Sequence, residues 1–391
     1  MGNLVAVQSC PEYERAAVEA SVRASFEALG GLEKLVRPGA RVFCKVNLLV
    51  PATPEQAVST HPEVVRTVVR EVRRVGAVPL VGDNPAIAKT ATALRKAGIL
   101  AVLEEEKVEV PDLAEVVRIE NPQGKSFRSF EVSRAIADCD VLLNLPKLKT
   151  HALTYMTCAM KNLFGLIPGS QKARWHLRAQ SPEEFATLVC DLYAALQRHF
   201  QGEKRMVHLC DGVLAMEGDG PGTGGTPRKL GALLASLDAT ALDRVCCTVA
   251  GLDFERLVIV REALARGLGE GELARIECVG APLSTWSEVK FAPPGGSGTA
   301  NGLGARLMRS PWLKDQILER PVLDPAKCTG CQKCKEICPA AAISLTAGKP
   351  AKPRVDSHQC IRCYCCAEVC PDAAMRKSRT PWLGRALGAF G

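Results

Sequence analysis

From residue 4 to about residue 290 the chain alternates short apolar runs with segments whose apolar positions recur every three or four residues. LVAVQSC (4–10), RVFCKVNLL (41–49), VPLVGDN (78–84), VLLNLPKL (141–148), RMVHLCDG (205–212) and LLASLD (233–238) read as strands. ERAAVEASVRASFEALG (14–30) reads as a helix, and Val64, Val65, Val68, Val69 and Val72 mark one face of another, behind a Thr60–His–Pro–Glu63 capping box. Ser181–Pro–Glu–Glu184 opens a third, with Phe185, Leu188, Val189, Leu192 and Leu196 on its apolar face. This alternation predicts an α/β fold over residues 1–290: a layered, largely parallel sheet with helices on both faces. APPGGSGTANGLG (292–304) breaks the pattern, so 291–320 is expected to hold a Gly-rich linker and a short helix. A small α+β module is expected over 321–375, and a frayed basic tail over 376–391.

A length of 391 residues with 47% apolar and 24% charged positions suits two or three globular domains and excludes a disordered chain. No apolar run approaches the roughly 20 residues of a membrane-spanning helix. The start, MGNLVAVQSC, lacks the features of a secretion signal, which predicts a cytoplasmic protein. Residues 1–290 hold 35 Lys and Arg against 35 Asp and Glu, so the whole formal charge of +8 sits in the last hundred residues. That balance argues against nucleic acid as a partner of the large part.

The 18 cysteines divide evenly. Nine are scattered through residues 1–290, where Cys10, Cys44, Cys139, Cys190, Cys210, Cys246, Cys247 and Cys278 read as small buried apolar residues. Cys158, inside a basic stretch, is kept as a minor candidate for chemistry. The other nine crowd into 328–370. Cys328, Cys331, Cys334 and Cys338 followed by Pro339 make C-x2-C-x2-C-x3-C-P, and Cys360, Cys363, Cys366 and Cys370 followed by Pro371 repeat it. In this pattern three thiolates of one run converge on one [4Fe–4S] cube and the fourth ligates the other cube. Cys328, Cys331, Cys334 and Cys370 are therefore expected to hold one cluster, and Cys360, Cys363, Cys366 and Cys338 the second. Structural zinc needs only four ligands and gives no reason for the x3-C-P ending. Cys365 falls outside the spacing and is expected to be a thiol beside the cluster. The module resembles the bacterial two-cluster ferredoxins over its full length, which implies one-electron transfer and a redox partner protein.

Between Asp140 and Glu183 the chain has no acidic residue across 42 positions, yet it carries Lys147, Lys149, Lys161, Lys172, Arg174 and Arg178 with His151 and His176. The run Asn144–Leu–Pro–Lys147–Leu–Lys149–Thr–His151 comes off a predicted strand end, where open α/β sheets bind ligands. Lys161 and Asn162, with Gly165 and Gly169 close behind, add polar groups and room for close backbone approach. These residues predict a pocket for a small anion, phosphate or carboxylate. Lys45, Asn47 and Asp83 follow other strands and are expected at its rim. Asp211, Glu217 and Asp219 lie in a Gly-rich loop (211–225) suited to a substrate hydroxyl, a divalent cation or a general base. His151, His176 and Lys161 are the candidate catalytic groups, the histidines because imidazole titrates near neutral pH. His61 and His199 read as structural. A flavin or a divalent cation stays open as a further cofactor, with no motif that supports either.

Lys45–Val–Asn47–Leu–Leu, Thr60–His–Pro–Glu–Val–Val, Asn144–Leu–Pro–Lys–Leu–Lys–Thr–His, Ala159–Met–Lys–Asn–Leu–Phe–Gly, Asp211–Gly–Val–Leu–Ala–Met–Glu–Gly–Asp–Gly–Pro and Asp238–Ala–Thr–Ala–Leu–Asp243 together resemble the family known as domain of unknown function 362, in its form with a C-terminal ferredoxin module. One departure is Cys158, where the family's motif has a small residue. The resemblance implies the fold and the clusters and no particular substrate. Three functions follow. The first is an oxidoreductase that passes electrons through two [4Fe–4S] clusters to or from a small anion. The second is an electron-transfer or redox-sensing protein whose large domain docks a partner, and the third a non-redox enzyme with structural clusters.

Overall fold

A computed structural model describes residues 3–85, 87–295, 315–379 and 381–383. Most of the expected linker with its short helix (296–314), and the end of the basic tail (384–391), lie outside the described residues.

The large domain is built on β1 (Leu4–Ser9), β2 (Arg41–Lys45), β3 (Val78–Gly82), β6 (Val141–Asn144), β7 (Lys147–His151), β8 (Tyr155–Thr157), β9 (Arg205–Gly218), β10 (Gly225–Ser236) and β11 (Glu277–Gly280), while β4 (Val116–Glu120) and β5 (Ser129–Ser133) form a separate ribbon. The nine-stranded sheet runs β11-β1-β10-β9-β6-β2-β3, with β7 beside the far half of β9 and β8 beside β7. Five pairings are parallel and three, β1–β10, β9–β10 and β7–β8, are antiparallel. The layered α/β class is as expected.

Alternation along the strands sorts side chains onto two faces. Ala6, Val42, Cys44, Val141, Leu143 and Leu233 pack against helices Arg15–Ala28 and Pro62–Arg74. Val7, Phe43, Leu142, Cys210 and Leu234 face helices Ala159–Leu163, Pro182–His199, Ala239–Val249 and Val258–Ala265. The scattered cysteines are buried in these cores, apart from the partly exposed Cys278.

Three local expectations are corrected. Pro146 lacks an N–H and divides the run 141–148 into β6 and β7. Thr60 does not cap its helix: His61 does, its Nδ1 accepting from Glu63 N, while Thr60 Oγ1 donates to Leu145 O. The runs 205–212 and 233–238 are the ends of one long hairpin, so Asp211 and Glu217 stand in β9 rather than in a loop. The capping box at Ser181 forms as read.

The small module has two short ribbons, Pro321–Leu323 with Met375–Lys377 and Ile343–Leu345 with Pro353–Val355, and short helices Lys333–Ile337 and Cys365–Glu368. Its two halves repeat in backbone as well as in sequence. Gln332 and Tyr364 have positive φ before their helices, and Ala341 and Ala373 after them. An apolar cluster joins the module to the large domain, with Val50, Ala52, Val58 and Met216 against Ile337, Cys365, Cys366 and Val369.

Candidate functional site

The eight run cysteines fit the expected cluster ligands. Cys334 feels the charges of Cys331 and of Cys370, from the other run, and Cys360 those of Cys363 and Cys338. Each fourth cysteine thus lies near cysteines of the other run. Among the described residues no three of the eight sulfurs lie within 4.8 Å of one another. A single tetrahedral zinc would hold its sulfurs about 3.8 Å apart, an arrangement that no three of these eight make. Backbone N–H groups also turn toward sulfur: Ala342 N toward Cys338 Sγ at 3.3 Å, and Ala374 N toward Cys370 Sγ at 3.2 Å. Such donors stabilise thiolate ligands and tune cluster potential.

A cavity lies where the two modules meet. Asn47, Asp83, Lys149, His151, Lys161, Asn162 and His176 reach it from the large domain, along with Lys172, and Ile337, Cys365, Glu368 and Val369 close it from the cluster module. Of the residues read from sequence as substrate or catalytic groups, seven line this cavity. Lys45 sits directly behind it, buried, with Nζ 2.8 Å from Asp83 Oδ1 and donating to Val46 O. Gly165 covers that pair so closely that a Cβ would come within 2.5 Å of Lys45 Nζ and 2.6 Å of Asp83 Oδ1. Here glycine is required by proximity.

The remaining residues lie elsewhere. Lys147 Nζ is 2.9 Å from Asp211 Oδ2 and donates to Tyr13 OH, which donates to Asp211 Oδ1 at 2.7 Å. His61 stacks on Tyr13 and donates its backbone N–H to Asp211. This buried group is internally satisfied, and it ties β7 and β9 to the segment before the first helix and to the start of helix Pro62–Arg74. Asn144 bridges Ala159 O, His208 Nδ1 and Asn162 Nδ2, which orients Asn162. Glu217 and Asp219 accept from Ala292 N and Gly295 N. The Gly-rich loop after them docks the cluster module: Thr223 Oγ1 donates to Cys370 O, and a Cβ on Gly222 would strike Glu368 O.

Electrostatically the cavity is a cluster of amines, Lys149 buried and Lys161 and Lys172 half-buried. Burial pushes Lys149 and Lys172 down to about 7, and Lys161 is lowered by the same cause. Lys149 donates to Val58 O, whereas Lys161 Nζ lies over the rings of Phe164 and Phe185. His151 Nδ1 accepts from Leu153 N, so Nε2 carries the proton and points at Glu368 Oε1, 3.4 Å away. Neither atom has a hydrogen-bond partner, and Asn47 Oδ1 and His176 Nδ1 are also buried without one. Unpartnered donors and acceptors around one cavity are places for a ligand's polar atoms. The expectation that the histidines titrate near neutral pH is not met. Burial takes His176 down to about 3 and His151 well below its ordinary value, so both imidazoles are neutral hydrogen-bonding groups. Burial also raises the carboxyl of Glu368 despite the nearby lysines. Sequence reasoning missed Glu368, Ile337 and Val369, whose only signal was their place in the cysteine motif.

A layered α/β domain with a docked cluster module defines the class, and the chain belongs to the family named domain of unknown function 362 (DUF362), matched over residues 42–248. Residues 320–371 match the 4Fe-4S dicluster domain. A thylakoid-associated protein of Synechocystis is 36% identical over 242 residues, 62% of this chain and 72% of that protein. Two solved structures are more distantly similar. The lactate racemase apoprotein from Thermoanaerobacterium thermosaccharolyticum has 12% identity, a TM-score of 0.42, and coverage of 63% of this chain and 57% of its own. A protein from Thermotoga maritima has 14% identity, a TM-score of 0.39, and coverage of 61% and 59%. The chain thus spans less than two thirds of either solved structure. Among the described residues no helix is long and apolar enough to cross a membrane.

Proposed function

We propose that this iron–sulfur protein is a cytoplasmic oxidoreductase that exchanges electrons, through two [4Fe–4S] clusters, with a small phosphate- or carboxylate-bearing substrate held in the cavity between its modules. One observation carries the proposal: the amine-lined cavity has a wall made by helix Cys365–Glu368, which also bears the cluster ligand Cys366. When bound, the clusters supply one-electron transfer. Lys149, Lys161 and Lys172 neutralise and orient the anion, while the His151 N–H and the Asn47 oxygen fix its polar atoms. The apolar walls, Leu48, Phe164 and Ile337, exclude water and strengthen each of these contacts. A redox partner meets the module where Cys331 is exposed, between the exposed Lys327 and Lys335 in the chain.

Anaerobic protein, reduced and freed of excess reductant, is mixed with sulfate as a binding probe and then with small carboxylates and phosphate esters. Sulfate is expected to perturb the cluster spectrum, and a substrate to re-oxidise the protein in a single turnover. Lys149→Ala with Lys161→Ala should weaken the sulfate effect at least tenfold with iron content unchanged. An undiminished sulfate response in that variant would locate anion binding elsewhere. Perturbation without re-oxidation by any acceptor would leave the alternative, an electron carrier whose large domain docks a partner.

The amines also set a pH dependence. An ammonium is charged below its pKa, and Lys149 and Lys172 titrate at about 7. Sulfate keeps its charge over this range, so its affinity is expected to fall about tenfold from pH 6 to pH 9. Isothermal titration across that range checks the sign, and flat affinity would remove these lysines from the binding site.

A further inference from the structure

Behind the cavity wall, in the core between sheet and helices, three thiols meet. Cys158 precedes helix Ala159–Leu163, Cys210 lies in β9, and Cys246 lies in helix Ala239–Val249. All three are at most 1% exposed. Cys158 Sγ is 3.3 Å from Cys210 Sγ and 3.6 Å from Cys246 Sγ, and the three sulfurs all lie within 4.8 Å of one another. Among the described residues no other group of three cysteine, histidine or carboxylate side chains is so placed.

Buried thiols elsewhere in this domain behave differently. Cys10, Cys139, Cys190 and Cys247 each donate to a backbone carbonyl, the ordinary way to satisfy an S–H. Cys158 instead makes its hydrogen bonds to the other two sulfurs and to the Asp243 carboxyl. Three soft donors thus converge on one point from three separate elements, each held by the surrounding core. Asp243 reinforces the arrangement, its carboxylate accepting from Ala159 N at 2.6 Å and Met160 N at 3.2 Å and so fixing the start of the helix behind Cys158.

We propose that Cys158, Cys210 and Cys246 form a three-sulfur site for one soft d10 cation of the Cu(I) class, separate from the iron–sulfur module. Thiolate–metal bonds of about 2.3 Å in a plane set sulfurs about 4 Å apart, a few tenths of an ångström wider than the two observed separations of 3.3 Å and 3.6 Å, so a small outward shift of the sulfurs admits the ion. Thiolates select copper(I) or zinc over harder ions. With three sulfurs and no solvent at the site, a trigonal ion is favoured over zinc, whose structural sites take four ligands. Binding displaces thiol protons, which leave to solvent.

The test uses cluster-loaded protein expressed in copper-supplemented medium, purified anaerobically and dialysed against a weak chelator. Native mass and metal analysis should find one copper per chain beyond the iron, and copper X-ray absorption a shell of sulfur alone. Cys158→Ala, and independently Cys246→Ser, should each lower retained copper at least tenfold while iron content stays at the parent value, which also reports that the chain is folded. Absence of copper from the parent protein would overturn the proposal. So would equal copper in the parent and in both variants, because the metal would then sit on other thiols.

Discussion

Cys334→Ser is expected to strip at least half of the iron, roughly four of eight atoms, and to leave the large domain folded. Cys334 is buried at the start of helix Lys333–Ile337, close to Cys331 and Cys370. A serine hydroxyl is a poor substitute for a thiolate at a cluster corner, and because Cys370 belongs to the second run, loosening this set strains the other. Cys365→Ser supplies the contrast. Within the repeat it occupies the place of Lys333 in the first run, where the pattern asks for no ligand, and its side chain lines the cavity. Iron and sulfide content should fall in Cys334→Ser and hold in Cys365→Ser, with circular dichroism of the large domain near the parent's in both. Loss of iron in Cys365→Ser would mean that the register of ligands in the second run is shifted by one residue. The anion response of Cys334→Ser should fall as well, since Glu368 and Val369 depend on the module's fold to form their wall.

Much of this site was legible in the chain, and the illegible part has a physical cause. Cysteine ligands are fixed by local spacing, so C-x2-C-x2-C-x3-C-P could be read directly. The basic stretch after β6 was readable too, because strand ends in α/β sheets converge on one edge. Spacing could not separate Lys147 from Lys149, however. Two residues apart in a regular strand they would share a face, but the register of β7 against β9 shifts between them. Lys147 meets Asp211, and Lys149 enters the cavity. Nor could the fold-back of the cluster module be read. It rests on an apolar cluster that gathers residues more than 100 positions apart, Val58 and Val369 among them, and on the fit of Gly222 against Glu368. Glu217 and Asp219 looked like ligands because carboxylates among glycines suit several roles, and only the tertiary structure shows backbone amides occupying them.

Asp83→Ala is expected to destabilise the large domain by about 3–5 kcal/mol, because it leaves Lys45 as an uncompensated buried cation. Both side chains of the pair are at most 3% exposed, and they stand 2.8 Å apart. Asp83 also accepts from Leu48 N at 2.7 Å and Asn84 N at 2.8 Å, so its loss removes support from two backbone amides near the cavity. Burial pulls the Lys45 amine down from its ordinary pKa even with the aspartate present. Removing the aspartate takes away the main favourable contribution to the ammonium. The pair itself is not expected to be strongly stabilising, since desolvating two charges offsets most of their attraction. Lys45→Met together with Asp83→Asn should therefore recover at least half of the single variant's loss: the buried charge is gone, and an amide oxygen remains to accept from Leu48 N. Net charge is unchanged in that double variant, so sulfate affinity should also stay near the parent value. Urea unfolding followed by fluorescence of the buried Trp175 and Trp286 gives the stabilities. A double variant as unstable as Asp83→Ala would place the cost in backbone support rather than in the stranded charge, and Lys45 would then be a packing residue rather than half of an ion pair.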